Sequence, residues 1–294
     1  MKKSLHLLLL SLCPSLLLVA NENQPSAAHP DWSPNGEQLA FEGTWDGARN
    51  IYVMNIGGSD VRQLTFGAAM DTYPRYSPDG EWLVFLSRRH PLFSMHLIRP
   101  DGEDERALLP ADGNLEPAFS PDGHSVAYRS YIGGDDPDGE IMIASVADES
   151  SRRLTENGVE DGYPAYSADG RNLFFHRTVG DYRQIFILDL DTGAEIQLTQ
   201  GDFNNWHAHP SPDGRRIVYD GDRHGNRDIY TMDLASHHVT QLTNDPGRDG
   251  YPKFSPDGRR IAFHSDRHGS MEVLVMNADG DSQISVTPHW PERK

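Results

Sequence analysis

Short apolar runs, four to five residues long and rich in β-branched or aromatic side chains, recur along the chain. They lie at residues 51–55, 82–86, 185–189, 229–233 and 261–264, separated by polar loops containing Gly or Pro. Runs of that length between turn-formers predict β-strands. The order of segments also repeats. A Pro with an aromatic, as in Tyr73-Pro74-Arg75-Tyr76, leads into a Ser-Pro-Asp-Gly turn. A strand, a polar loop, a second strand, another turn and a last strand follow, the last closing on Leu-Thr at 64–65, 154–155, 198–199 and 242–243. The turn or a near copy of it occupies 33–36, 77–80, 120–123, 167–170, 211–214 and 255–258, and its glycines are separated by 44, 43, 47, 44 and 44 residues. Asp-Gly supplies the positive-φ geometry that joins antiparallel strands tightly.

Four short strands in about 44 residues make one blade, and six copies make a ring. The expected fold is all-β, a six-bladed β-propeller with four antiparallel strands per blade. A single blade has two apolar faces and needs a neighbour on each. The blades are expected near 29–66, 71–110, 114–156, 160–200, 205–244 and 249–288. A length of 294 residues would ordinarily admit two domains, but one ring over 21–294 accounts for it. Composition agrees: 27 Gly and 20 Pro are too many for a helical bundle, while 5 Trp, 11 Tyr and 11 Phe are enough to build a core.

Residues 1–20 read as a signal peptide, with Lys2 and Lys3 ahead of an apolar stretch and Ala20 at the cleavage position. His6, Ser11 and Pro14 interrupt that stretch, which is also too short for a membrane span. Leu12 is a poor residue before a lipidated cysteine, so Cys13 is not expected to be an anchor. The expected location is periplasmic or secreted, with no integral span in the mature chain. Cleavage would remove both lysines and the only cysteine, taking the formal charge from −18 to −20 and leaving stability to packing and backbone pairing. A field of that sign repels phosphate backbones, so nucleic acid is not an expected partner.

The pattern Pro-x-aromatic-Ser-Pro-Asp-Gly, apolar strand, Ile-Tyr-x-Met-Asp/Asn and Leu-Thr resembles the WD-like repeat of the TolB propeller family. The resemblance covers about 265 of the 294 residues. The same blade-building repeat occurs in propellers of prolyl-oligopeptidase type, so it implies fold more strongly than function. TolB resembles this chain only through its C-terminal propeller part, and the N-terminal α/β domain of TolB is expected to be absent here. By resemblance, the partner class is a peptidoglycan-associated lipoprotein or another envelope protein.

Propellers bind at the mouth of the central channel. If the strand before each Ser-Pro turn is innermost, as in the family, the residue four before each turn serine forms a ring: His29, Tyr73, Glu116, Tyr163, His207 and Tyr251. Two residues later lies a second ring, Asp31, Arg75, Ala118, Ala165, His209 and Lys253; two earlier lies a third, Ala27, Asp71, Asn114, Asp161, Asn205 and Asp249. Strand alternation would place all three on one face. Asp71, Asp161 and Asp249 would then gather negative charge at one opening, attracting a cation such as Ca²⁺ or a basic protein segment. The expected channel-mouth site comprises His29, Asp71, Tyr73, Arg75, Glu116, Asp161, Tyr163, His207, His209, Asp249, Tyr251 and Lys253.

Blade five departs from the template with Asn205-Trp206-His207-Ala208-His209-Pro210. Two histidines two apart on a strand present their nitrogens together, which would suit Zn²⁺, Mn²⁺ or Fe²⁺. His176 and His264 are expected to pack between blades. No Gly-x-Ser-x-Gly, His-Glu-x-x-His or phosphate-cradling loop is present. The reading is therefore a non-catalytic, monomeric, exported protein-binding propeller with no resident cofactor. The alternative is a metal-dependent carbohydrate lyase or hydrolase centred on His207 and His209.

Overall fold

The computed structural model describes residues 25–109, 113–131 and 139–287. The expected leader, 1–20, lies outside the described residues, as does most of the 133–140 loop. Six four-stranded antiparallel sheets form the molecule, each built from consecutive strands. In blade 1 these are Ala27–Trp32, Gln38–Gly43, Asn50–Asn55 and Arg62–Gln63. The inner strands of blades 2 to 6 are Asp71–Tyr76, Asn114–Phe119, Asp161–Tyr166, Asn205–Pro210 and Asp249–Phe254. Among the described residues no helix is long and apolar enough to cross a membrane.

The ring closes by packing, without exchange of a described strand between the first and last blades. Trp32 Nε1 donates to the Lys253 carbonyl at 3.0 Å and the Ala27 amide to the Met271 carbonyl at 2.8 Å, both tying blade 1 to blade 6. The last residue of each inner strand is aromatic in five blades, and it packs on the preceding blade. Trp32 lies against Ala262 and Val275, Tyr76 against Ala40 and Val53, and Phe254 against Val218 and Ile229. Burial of each such side chain contributes roughly 1.5–3 kcal/mol, which is why an isolated blade is not a folding unit.

Each Ser-Pro turn is a closed hydrogen-bond device. In blade 2 the Ser77 hydroxyl donates to Asp79 at 2.5 Å and accepts from the Trp82 amide at 2.9 Å, while Asp79 accepts from the Glu81 amide at 3.0 Å. Gly80 then takes φ +73°, and a Cβ there would stand 3.5 Å from Pro34 of the previous blade. The recurring Leu-Thr works similarly at the outer edge. Thr65, Thr155, Thr199 and Thr243 each accept the third-strand amide of Ile51, Ile141, Ile185 and Ile229, at 2.8–3.0 Å, where the fourth strand has ended.

Candidate functional site

The third residue of every inner strand has a positive φ: His29 53°, Tyr73 54°, Glu116 60°, Tyr163 54°, His207 49° and Tyr251 55°. At the same point the pairing with the second strand slips by one residue in all six blades. In blade 1, Ala28 pairs with Glu42 and Asp31 with Ala40, so His29 and Pro30 together oppose Phe41. This is a β-bulge. It corrects the expected strict alternation, because residues before and after the bulge no longer share a face. The sequence did carry a signal: proline follows the bulge residue at 30, 74, 117, 164 and 252, and proline in a strand marks a bulge or an edge.

A left-handed conformation costs a non-glycine residue about 1–2 kcal/mol. The bulge amides recover hydrogen bonds from a neighbouring blade. Tyr73 N donates to Glu42 at 3.2 Å, Tyr163 N to Glu116 at 2.7 Å, Tyr251 N to Asp220 at 3.2 Å and His29 N to His264 Nδ1 at 3.4 Å. The side chains are thereby aimed at the ring axis. The hydroxyls of Tyr73, Tyr163 and Tyr251 meet in a triangle with edges of 3.1, 3.0 and 2.7 Å. His29 stacks on Tyr73 at 4.2 Å and His207 on Tyr251 at 3.7 Å. All six bulge residues are buried, so this level of the channel is a plug.

Acidic side chains of the second strands hold the plug. Glu42 lies 2.8 Å from His29 Nδ1 and accepts from Arg49 at 2.5 Å; Asp220 lies 2.7 Å from His207 Nδ1 and accepts from Arg227 at 2.5 Å. Glu116 takes Arg129 at 2.7 Å. Burial tends to raise the Glu42 carboxyl, but His29 and Arg49 hold it well below the ordinary range. Burial lowers both His29 and His207 below the ordinary imidazole value, with Glu42 opposing this at His29. Neither Glu42 nor Asp220 was anticipated from sequence. They are polar residues in apolar strands, and their function depends on a blade about 30 residues further along.

Asp71, Asp161 and Asp249 begin their inner strands, at the end away from the Ser-Pro turns. Each is 1% exposed or less and faces an arginine: Arg89 at 3.6 Å, Arg177 at 2.7 Å and Arg267 at 2.8 Å. The expected ring of open negative charge is therefore corrected: these carboxylates are buried and paired. The polar loops at 44–50 and 222–228 lie at this same end, because each joins a second strand to a third.

The opposite end is open. Asp31, Arg75, Ala118, Ala165, His209 and Lys253 line a funnel of about 360 Å³ whose rim is Pro34, Pro78, Pro121, Ala168, Pro212 and Pro256. A narrow extension of about 20 Å³ runs down past Arg75 and Lys253 to Glu116, Tyr163, His207 and Tyr251. Asp31 accepts from the Tyr76 amide at 2.9 Å, and Arg75 donates to the Pro74 carbonyl at 2.8 Å. Burial, reinforced by Arg75 and opposed by Asp31, brings the Lys253 ammonium down to about 7. Burial beside Lys253 and Arg75 keeps His209 well below the ordinary imidazole value.

The twelve expected site residues thus separate into three layers, and the structure does not bring His207 and His209 together as a pair of ligands. His207 belongs to the plug, with Nδ1 2.7 Å from the Asp220 carboxylate and 2.8 Å from the Arg227 guanidinium. His209 lies in the funnel, with Nδ1 accepting from the Phe254 amide at 3.3 Å. Among the described residues no group of three His, Cys, Asp or Glu is placed to hold a metal ion. His176 and His264 are buried beside the plug, His264 4.8 Å from Tyr251 and His176 5.2 Å from Tyr163.

Blade count, repeat and closed ring now stand beside a direct comparison of sequences: the profile of the TolB beta propeller domain matches residues 15–102, 92–233 and 209–290. The chain belongs to the TolB β-propeller family. A TolB homolog of Chlorobium luteolum is 28% identical over 158 residues, 54% of this chain and 35% of the relative. The chain spans between 21% and 38% of the length of the curated relatives it matches. TolB from Acinetobacter baumannii superposes with a TM-score of 0.72 at 20% identity, covering 88% of this chain and 62% of that one. An oligogalacturonate lyase in complex with manganese gives 0.62 at 18% identity, covering 88% and 77%. At these identities the likenesses to solved structures show the fold alone, and TolB-type propellers evidently share it with enzymes.

Proposed function

We propose that this TolB-family propeller is a protein-binding module of the cell envelope, exported by its leader, and that its partner docks at the funnel end. The observation that carries the reading is the shape of the channel. A funnel opens between five Ser-Pro turns and the Ser167-Ala168 turn of blade 4, and ends on a tyrosine–histidine plug. Such a socket receives a protruding segment rather than passing a ligand through. The partner class this favours is an envelope protein or lipoprotein, and the chain acts as a monomer without a resident cofactor.

The test is capture of a partner from envelope extract by wild type and by Ala118→Trp, which fills the funnel while leaving the plug intact. The reading predicts a protein retained by wild type and lost by the variant at unchanged melting temperature. Equal retention by both overturns it. The alternative of a metal-dependent carbohydrate lyase or hydrolase draws on the fold shared with the manganese-bound lyase, but the separation of His207 from His209 weighs against it. Stoichiometric metal in untagged protein, lost in His207→Ala, would restore that alternative.

A further inference from the structure

Charge in the funnel has the opposite sign to the rest of the molecule. The chain carries a formal −18, yet the funnel sets two cationic side chains, Arg75 and Lys253, against a single carboxylate, Asp31. Two arginines are buried among the described residues, Arg75 and Arg129. Arg129 sits between Glu116 and Glu160, at 2.7 and 2.5 Å. Arg75, 7% exposed, has its guanidinium bonded to the carbonyls of Pro74 at 2.8 Å and His29 at 3.5 Å. Among the described residues, neither Arg75 nor Lys253 has a carboxylate oxygen within the 4.0 Å of an ion pair. Asp31 instead gives one oxygen to the Tyr76 amide.

Asp31 is the one carboxylate whose charge acts on Arg75; it is shared with Lys253 and makes no direct ion pair with either, so an anion in direct contact would complete the buried guanidinium. Arginine also offers a planar fork suited to a carboxylate. The cavity volume, about 360 Å³, falls near the lower end of the roughly 300–1,000 Å³ of ligand pockets, and below it the space narrows to about 20 Å³ above the buried tyrosines. It therefore admits the end of a chain or one protruding side chain. We infer that the funnel is a receptor for a carboxylate group of a peptide segment, held between Arg75 and Lys253. This rests on the partner-binding reading and names the chemistry that the partner presents. Asp31 remains the local counter-charge to Lys253 when the socket is empty. An arriving carboxylate favours the protonated ammonium, since the groups facing Lys253 include Arg75, His209 and His207 against that one aspartate.

Two peptide sources supply the same chemistry, a C-terminal carboxylate and an Asp or Glu side chain, and the probes separate them. The indole N–H of Trp32 lines the funnel wall and bonds to the Lys253 carbonyl, which makes its ¹⁵N–¹H resonance the reporter. Acetyl-triglycine with a free carboxylate, its C-terminal amide, and amidated acetyl-Gly-Asp-Gly are titrated into the full chain. The expected result is a saturable shift with at least one acid peptide and binding by the amide weaker by about tenfold or more. Arg75→Met and Lys253→Met each weaken acid binding by about tenfold, and Arg75→Lys retains part of it. Should Arg75→Met fail to fold, Lys253→Met and Arg75→Lys carry the comparison. Equal shifts from acid and amide, no saturable shift from either acid, or undiminished binding by a folded Lys253→Met overturns the socket. If a partner is captured equally by wild type and Arg75→Lys/Lys253→Met, the binding module stands and the socket falls. If peptides bind but no partner is retained, the reverse holds.

Discussion

Glu42 shows how single residues decide whether the centre of the ring is ordered. One carboxylate accepts from the Tyr73 amide and from Arg49, contacts His29 and takes the Thr72 hydroxyl, so it binds blade 1 to the strained bulge of blade 2. Removing it strands the half-buried Arg49 guanidinium and two buried donors, which costs more than the pair contributed. Glu42→Leu is expected to destabilise by about 3–5 kcal/mol in denaturant melts, whereas Glu37→Leu, on the exposed turn, changes stability by less than about 0.5 kcal/mol. At this scale the sequence was only half legible. Counting back from the turn serine found His29, Tyr73, Glu116, Tyr163, His207 and Tyr251, because their spacing is constant. It missed Glu42, Asp220 and their arginines, whose role exists only once neighbouring blades are in contact. The sign of the funnel charge was hidden for the same reason: Asp71, Asp161 and Asp249 count as charge in the sequence but are paired in the fold.

Elements were far more legible, because the Ser-Pro-Asp-Gly device is local. Its serine, acid and glycine are satisfied within six residues, so the motif announces a turn without reference to the rest of the molecule. The bulge was equally local and was advertised by the repeated proline, yet strict alternation obscured it. Between elements, a turn proline stands 3.5–3.8 Å from where a Cβ on the next blade's turn glycine would lie, in five places. Blade 4 is the exception: it carries Ala168 in the proline position, and Gly214 of blade 5 has nothing within 4 Å of its would-be Cβ. Proline restricts the unfolded chain where the native backbone accommodates it. Ala168→Pro is therefore expected to stabilise by about 0.4–1 kcal/mol, seen as a rise in melting temperature of roughly 1–4 °C. A fall would show that this turn differs from the other five.

At the scale of the whole molecule, six mutually packed blades of consecutive strands account for the described residues as one ring, with no helix among them. The same burial predicts acid sensitivity. His29, His176, His207, His209 and His264 are all held below the ordinary imidazole value by burial. Below about pH 6.5 the unfolded chain binds protons that the folded ring does not, so stability present at neutral pH is lost as pH falls. The melting temperature should drop between pH 7 and pH 5, and replacing His209 with Leu should flatten that slope; a melting temperature constant over this range would contradict the assignment of neutral, buried rings. Function at this scale turns on which end of the ring meets the partner. The most direct measurement is photo-crosslinking in envelope extract, with benzoylphenylalanine placed at Pro78 and Pro212 on the funnel rim, and at Asp202 and Arg248 on loops at the opposite end. Cross-links to a common protein from the rim positions alone are the predicted result, and cross-links confined to Asp202 and Arg248 would contradict a partner seated in the funnel.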